Sequence, residues 1–186
     1  MRRVLLALVA IGMATSLSAC VPDSTSGPSQ SGLPSIDPSL IPTAPPANVV
    51  DVSETQFQTT YGDYIFKIGQ GPVWCSINAD NEFAICEQNE VTAQYEPIPV
   101  PDSCQFSYGY QVRLWQVKPK DSEGTAEFMC SGGAYADPAN AKTLNAGERV
   151  KVAGFDCWVD EMTARCENGK GNYIVLGPRA WALGNS

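Results

Sequence analysis

The chain contains seven cysteines, and six of them lie between residues 75 and 166. The seventh, Cys20, ends a short apolar segment at the N-terminus. An even number of closely spaced cysteines in an exported chain predicts disulfides, which staple a small domain into a compact, loop-rich fold. The interpretation of the cysteines therefore depends on whether the chain is exported.

Residues 1–19 have the layout of a secretory signal peptide. Arg2 and Arg3 are followed by an apolar run over residues 4–13, which is shorter than the roughly 20 residues that a membrane-spanning helix needs. The sequence Leu17-Ser18-Ala19-Cys20 resembles the bacterial lipobox. The resemblance implies that Cys20 takes a diacylglyceryl group, that cleavage occurs before it, and that the new amine is acylated, typically with palmitate. The alternatives are a plain signal peptide with a chance cysteine, or twin-arginine export, although the residues around the arginine pair favour general secretion.

A chain of this kind is anchored to a membrane through lipid. Two or more acyl chains are needed for stable anchoring, because a single chain binds a bilayer reversibly. We therefore expect a lipoprotein on the outer, extracytoplasmic face of the cell membrane.

The composition excludes several function classes. The chain contains no histidine, so Ser-His-Asp and Cys-His catalysis are excluded and the commonest zinc ligand is missing. Without residues 1–19, ten basic residues face twenty acidic ones, which argues against nucleic-acid binding. We expect no cofactor and no metal.

Residues 20–55 are predicted to form a lipidated, disordered tether. Seven of residues 21–50 are proline and six are serine, so the segment buries too little apolar surface to offset its chain entropy. The alternative is a loop that packs on the domain. The folded domain is then predicted over residues 56–186, which is enough chain for a single modest core.

Two predicted hairpins carry a cysteine in each strand. Residues 73–77 and 83–86 contain Cys75 and Cys86, and residues 155–159 and 162–167 contain Cys157 and Cys166. Six cysteines allow fifteen connectivities. Because cross-strand neighbours have the separation that a disulfide requires, we pair Cys75 with Cys86 and Cys157 with Cys166, which leaves Cys104 for Cys130.

The remaining patterns also indicate strands. Residues 110–117 alternate apolar and polar side chains, and residues 64–68, 126–130, 148–152 and 173–176 are short strand candidates. Sustained helical periodicity is absent, and the best helical candidate is a short turn near residues 137–144. The sequence predicts one all-β domain of about three hairpins, arranged as a compact sandwich or barrel.

The order of these motifs resembles a family of small exported actinobacterial domains with six cysteines and unknown function. The matching features run from Cys75 through the proline-containing stretch before Cys104 to Ser131-Gly132-Gly133, and they end at residues 169–173. The resemblance supports the fold and the disulfides and implies no activity. Lys170 stands where members of the family often carry a histidine, so no role of that histidine is transferred.

The candidate site residues are carboxylates and aromatics. A carboxylate pair can hydrolyse glycosides, and oxygen ligands at Asp80, Asn81 and Glu82 could hold calcium, although the spacing is not that of a known calcium loop. The acidic candidates are Asp80, Glu82, Glu87, Glu90, Asp156, Asp160, Glu161 and Glu167. An exposed aromatic row could instead stack on sugars or on a protein, the alternative being core packing against the disulfides. The candidates for such a row are Trp74, Trp115, Trp158 and Tyr173.

Two function classes follow, and a third is weaker. The first is a non-catalytic binding or structural module whose partner is a cell-wall polymer, an envelope protein or a host molecule. The second is a small carboxylate-dependent cell-wall hydrolase. The weaker possibility is a purely structural envelope protein.

Overall fold

The computed structural model describes residues 32–186 as twelve β-strands in two six-stranded sheets. Sheet A contains β1 (Val50–Asp51), β8 (Glu148–Val152), β9 (Phe155–Asp160), β10 (Thr163–Asn168), β11 (Tyr173–Leu176) and β12 (Trp181–Gly184), in that order across the sheet. Sheet B has the order β6 (Ala126–Ser131), β5 (Ser107–Trp115), β4 (Phe83–Glu87), β3 (Trp74–Asn78), β2 (Tyr64–Ile68) and β7 (Lys142–Leu144). The predicted all-β class is confirmed.

Each sheet is an antiparallel meander with one parallel strand at an edge. Strands β2 to β6 follow one another across sheet B, and the chain then returns to place β7 parallel to β2. Strands β8 to β12 cross sheet A in the same way, and β1 lies parallel to β8. Among residues 32–186 the only helices are short 3-10 turns, and none is long and apolar enough to cross a membrane.

The core lies between the sheets and takes every second side chain of each strand. From sheet B it receives Phe66, Cys75, Cys86, Val112 and Leu114, and from sheet A it receives Val150, Cys157, Cys166, Ile174 and Leu176. This alternation is the reason that the apolar–polar pattern of residues 110–117 predicts a strand correctly.

All three predicted disulfides are present. Cys75 lies directly opposite Cys86, and Cys157 lies directly opposite Cys166, with Cα atoms 4.1 Å apart in both pairs. Cys104 pairs with Cys130 across 5.5 Å, at the open edge of sheet B. Two of the bridges therefore lie inside the core, whereas the third ties the β4–β5 connection to the edge strand β6.

The hairpin between β8 and β9 shows how the turns set the register. Ala153 and Gly154 both have positive φ, as the two central residues of a type I′ turn require. A Cβ atom on Gly154 would also lie 2.9 Å from the Gln116 side chain. Glycine is therefore favoured there for its backbone conformation, since the end of the Gln116 side chain could move away from an added Cβ atom.

The N-terminal boundary of the domain differs from the prediction. Residues 32–55, predicted as tether, run along sheet A: Leu33, Ile36 and Val52 pack against the core, and β1 pairs with β8. The Pro42 carbonyl accepts a hydrogen bond from Arg165 at 2.9 Å. A few apolar side chains in a proline-rich segment are thus enough to dock it, which is the alternative of a packed loop. Residues 1–31, including Cys20 and the signal peptide, lie outside the described residues.

Three strands are missing from the prediction. Strands β1 and β7 have only two and three residues, which is too short for an alternating pattern to show. Strand β12 begins two residues after Pro178-Arg179 and carries Trp181. The helical turn predicted near residues 137–144 is the 3-10 helix Pro138–Asn140, which is followed at once by β7.

The positions of the disulfides predict an order of stability costs. By restricting the unfolded chain, each disulfide stabilises the folded state by about 3 kcal/mol, and the longer loop closed by Cys104–Cys130 gives slightly more. The core sulphurs of Cys157 and Cys166 are fully buried, so replacing them also removes packing. We expect Cys157→Ala/Cys166→Ala to cost about 4 kcal/mol in the free energy of unfolding, against about 3 for Cys104→Ala/Cys130→Ala. Urea unfolding measures both, and a larger cost for the longer loop would contradict the packing argument.

Candidate binding groove

A groove of about 400 Å³ lies on the outer face of sheet B, at the ends of β4 and β6 and the start of β5. Its floor comes from the strands, and its walls come from the β4–β5 connection and from the loop after β6. The lining residues are Trp74, Glu87, Gln88, Asn89, Glu90, Phe106, Ser107, Tyr110, Gln111, Ser131, Gly132, Gly133 and Ala134. Basic side chains are absent from this lining.

Strand register places a buried carboxylate at the floor of the groove. Glu87 lies opposite Trp74 on β3 and opposite Gln111 on β5, so the three side chains form a row across the sheet. Trp74 Nε1 donates to Glu87 Oε1 at 2.7 Å, and Gln111 Nε2 donates to Oε2 at 2.6 Å. The backbone N–H groups of Tyr135 and Ala136 donate to the same two oxygens at 2.9 and 3.1 Å. Glu87 thus ties the loop after β6 down onto the sheet.

The environment of Glu87 makes it a poor acid–base catalyst. Burial raises the pKa of its carboxyl, and the four N–H donors act in the opposite direction. A raised pKa in a cleft is a common sign of a catalytic acid. However, Glu87 is 1% exposed and each oxygen already accepts two hydrogen bonds, so a substrate would have to displace a partner. The arrangement is that of a structural anchor.

The walls of the groove offer aromatic and amide groups. Phe106 is 64% exposed, and its ring lies beside Gly132. Tyr110 stacks on Tyr95 with ring centroids 6.4 Å apart, and burial together with the nearby Glu90 raises the pKa of the Tyr110 hydroxyl. An exposed ring beside amides, hydroxyls and one carboxylate is the kind of surface that holds a sugar by stacking and hydrogen bonding.

Gln88, behind the wall of the groove, is buried and only partly satisfied. Its Nε2 donates to the Tyr95 hydroxyl at 2.9 Å and to the Gly177 carbonyl at 3.3 Å. Its Oε1 is buried and has no partner among the described residues. Buried acceptors without a donor are uncommon and costly, so the position favours an ordered water.

The four predicted binding aromatics do not form an exposed row. Trp158 and Trp74 are 1% and 6% exposed, and they lie on different sheets. The guanidinium of Arg113 covers Trp115 at 4.2 Å, and that of Arg165 covers Tyr173 at 3.6 Å. The expectation of an exposed row is therefore wrong for these residues: two are packed into the domain and two are capped by arginine.

The predicted carboxylates are spread over the surface. Only Glu87 and Glu90 share the groove, and Glu90 is exposed in the 3-10 helix Glu90–Thr92. Asp156 lies near Arg149 and Lys151 on sheet A, and Glu167 pairs with Arg165. Four others occupy hairpin turns or their flanks: Asp80, Glu82, Asp160 and Glu161.

The described residues bring no metal site together from these candidates. The turn proposed for calcium is held by Asn78, whose Oδ1 accepts from the backbone N–H of Asn81 at 2.7 Å. Cys75, Cys86 and Cys166 have sulphurs within 4.8 Å of one another, but all three are in disulfides and so offer no thiolate to a metal.

Sequence reasoning missed Phe106 and Gln88. Phe106 is two residues from Cys104, and Ser131-Gly132-Gly133 follows Cys130, so the Cys104–Cys130 bridge brings the two walls together. The predicted disulfide was therefore the available signal for this groove. A scan of family models and searches of curated proteins and of solved structures found no match to the chain.

The anchor role of Glu87 has a direct test. Glu87→Ala would leave two backbone N–H groups, Trp74 Nε1 and Gln111 Nε2 without their acceptor in a buried site. We expect a loss of about 2–4 kcal/mol in the free energy of unfolding. Glu90→Ala, three residues away and exposed, is the control and should change it by less than about 0.5 kcal/mol. Equal effects in urea unfolding would contradict the role.

Proposed function

We propose that this protein is a lipid-anchored envelope module that binds a neutral cell-wall polysaccharide in the groove above Glu87. The observation that carries the proposal is the exposed Phe106 ring, which lines the same groove as Asn89 and Gln111 above a floor fixed by hydrogen bonds. Rings of this kind stack on sugar faces, and amide and carboxylate oxygens accept from sugar hydroxyls.

The lack of a usable catalytic pair supports binding without turnover. Glycoside hydrolysis needs two carboxyl groups that flank the scissile bond, one of them free to give up a proton. In this groove Glu87 is saturated by four donors, and Glu90 is a solvent-exposed side chain. Cysteine nucleophiles are also excluded within residues 32–186, because all six cysteines there form disulfides.

Binding to cell-wall glycan tests the proposal. The oxidised chain is sedimented with purified, insoluble cell-wall polysaccharide, and the affinity is then measured for soluble oligosaccharides released from it. Phe106→Ala should weaken binding about tenfold, which corresponds to the loss of one aromatic stacking contact. The matched control is Tyr61→Ala, because Tyr61 is 92% exposed and lies outside the groove.

The same samples separate binding from catalysis. The proposal expects the oligosaccharides to be recovered intact after prolonged incubation. Release of shorter products by the parent chain, abolished by Glu90→Gln, would replace the binding module with the carboxylate-dependent hydrolase. Equal affinity of the Phe106→Ala and Tyr61→Ala variants would remove the groove from the proposal.

Anchoring through Cys20 has its own test. The lipobox-like sequence at residues 17–20 leads us to propose attachment to the extracytoplasmic face of the cell membrane. Cys20→Ala should abolish incorporation of labelled palmitate, and the protein should either remain unprocessed or leave the membrane fraction. Ser26→Ala, just downstream, is the control and should behave like the parent. A Cys20→Ala variant that is still processed, labelled and retained on the membrane would contradict lipidation at this residue.

A further inference from the structure

Strand β12 forms an open edge of sheet A. Gly177 and Ala180 exchange two backbone hydrogen bonds, at 2.8 and 3.4 Å, where β11 turns into β12. Antiparallel pairs alternate between hydrogen-bonded and non-hydrogen-bonded positions. Trp181 lies opposite Leu176, and Leu183 lies opposite Ile174, both at non-hydrogen-bonded positions. The backbone N–H and C=O groups of Trp181 and Leu183 therefore point away from β11.

These outward groups border an uncharged cavity. Within residues 32–186 they have no hydrogen-bond partner beyond the edge. A cavity of about 410 Å³ runs along β12, between the strand and the segment that contains Leu33 and Ile36. The lining has no acidic or basic side chain. An extended chain adds to a sheet about 4.8 Å from the edge strand, and its backbone would satisfy the groups that are open here.

At the neighbouring edge of sheet B, a side-chain amide pairs with the backbone of β6 in the way that an added strand would. The side-chain amide of Asn185 accepts from the Ala126 N–H at 2.7 Å and donates to the Ala126 carbonyl at 3.0 Å. It therefore contacts the start of β6 as an added strand would. A second groove of about 830 Å³ lies beside Asn185, and its apolar lining includes Tyr108, Phe128 and Leu183.

This second groove is acidic. It is lined by Asp121, Glu123 and Glu127 and by no basic side chain. Glu127 is paired with Arg113, whereas Asp121 and Glu123 have no ion-pair partner among the described residues. Burial and the charges of Glu123 and Glu127 raise the pKa of the Tyr108 hydroxyl, as expected where the local potential is negative. The groove is complementary to a positively charged ligand.

We propose that the β12 edge is the docking site for an extended segment of a partner protein, which adds to sheet A as a further strand and directs basic side chains toward Asp121 and Glu123. The open backbone groups supply the affinity of strand addition. The apolar cavity accepts the alternate side chains, and the acidic groove selects the charge. This site is separate from the polysaccharide groove on the outer face of sheet B.

Charge argues against the two other occupants. A second copy of this chain has a formal charge of −8 and would bring a second acidic groove to the same edge. The segment that precedes Leu33, residues 21–31, contains Asp23 and no basic residue. Neither would neutralise Asp121 and Glu123, so a basic partner segment fits the edge better than either of them.

The probe is a labelled hexapeptide in which valine and lysine alternate, titrated with the oxidised chain and followed by fluorescence anisotropy. We expect saturable binding that weakens as salt is raised, and at least tenfold weaker binding when glutamate replaces lysine in the peptide. Asp121→Lys/Glu123→Lys should weaken binding of the lysine peptide at least tenfold. Asp80→Lys, in the β3–β4 turn, should leave it within twofold.

Two further peptides test the backbone pairing. In each, one of the two alternating sets of residues is N-methylated, which removes the N–H groups on one side of the strand. Because an added strand faces β12 with one set only, one methylated peptide should bind and the other should not. Binding of both, or undiminished binding by the Asp121→Lys/Glu123→Lys chain, would overturn the proposal. A second copy of the chain would be the occupant instead if the chain forms a dimer that Leu183→Pro abolishes while the lysine peptide does not bind. That outcome would also overturn the proposal.

Discussion

The contact between two disulfides at the centre of the sandwich holds the architecture together. Cys86 on sheet B and Cys166 on sheet A bring their sulphurs within 4.0 Å of each other, and each belongs to a bridge between directly opposed residues. Each bridge fixes the register of its own hairpin, and the contact sets one hairpin over the other. The core around them combines small side chains such as Ala84 and Ala164 with large ones such as Phe66 and Phe155. In a domain of this size, such bridges add to the stability that the apolar core provides.

The register fixed by the disulfides also determines the outer faces of the sheets. With Cys75 and Cys86 pointing inward, Trp74 and Glu87 must point outward and lie opposite each other. An outward tryptophan and a carboxylate in the middle of a sheet need cover, and the loop after β6 supplies it through two backbone N–H groups. On sheet A, the outward side chains are covered in a different way. Its outward Trp158 is shielded by Arg165, whose guanidinium is held in turn by the Pro42 carbonyl of the N-terminal segment.

The contrast between local register and long-range contacts explains which parts of the structure the sequence could predict. The Cys75–Cys86 and Cys157–Cys166 bridges follow from strand alternation and turn length, which are local properties. The docking of residues 32–55 does not, because it depends on Arg165, more than a hundred residues away, which offers a donor to Pro42. Composition alone gave the opposite prediction for that segment. Glu87 is one of eight acidic candidates in the sequence, and only the cross-strand row Trp74–Glu87–Gln111 distinguishes it from the rest.

The path of the N-terminal segment links the proposed anchor to the open edge. Leu33 lines both cavities beside β12, so the chain from Cys20 reaches the domain next to that edge. Leu33 follows Cys20 by thirteen positions, a stretch that spans at most about 45 Å when fully extended. A lipid at Cys20 would therefore keep the β12 edge within about that distance of the membrane surface. The groove proposed for polysaccharide lies on the outer face of sheet B, whereas the N-terminal segment packs on sheet A. A polysaccharide bound there would not compete with the tether, so the two proposed sites are compatible with simultaneous occupation.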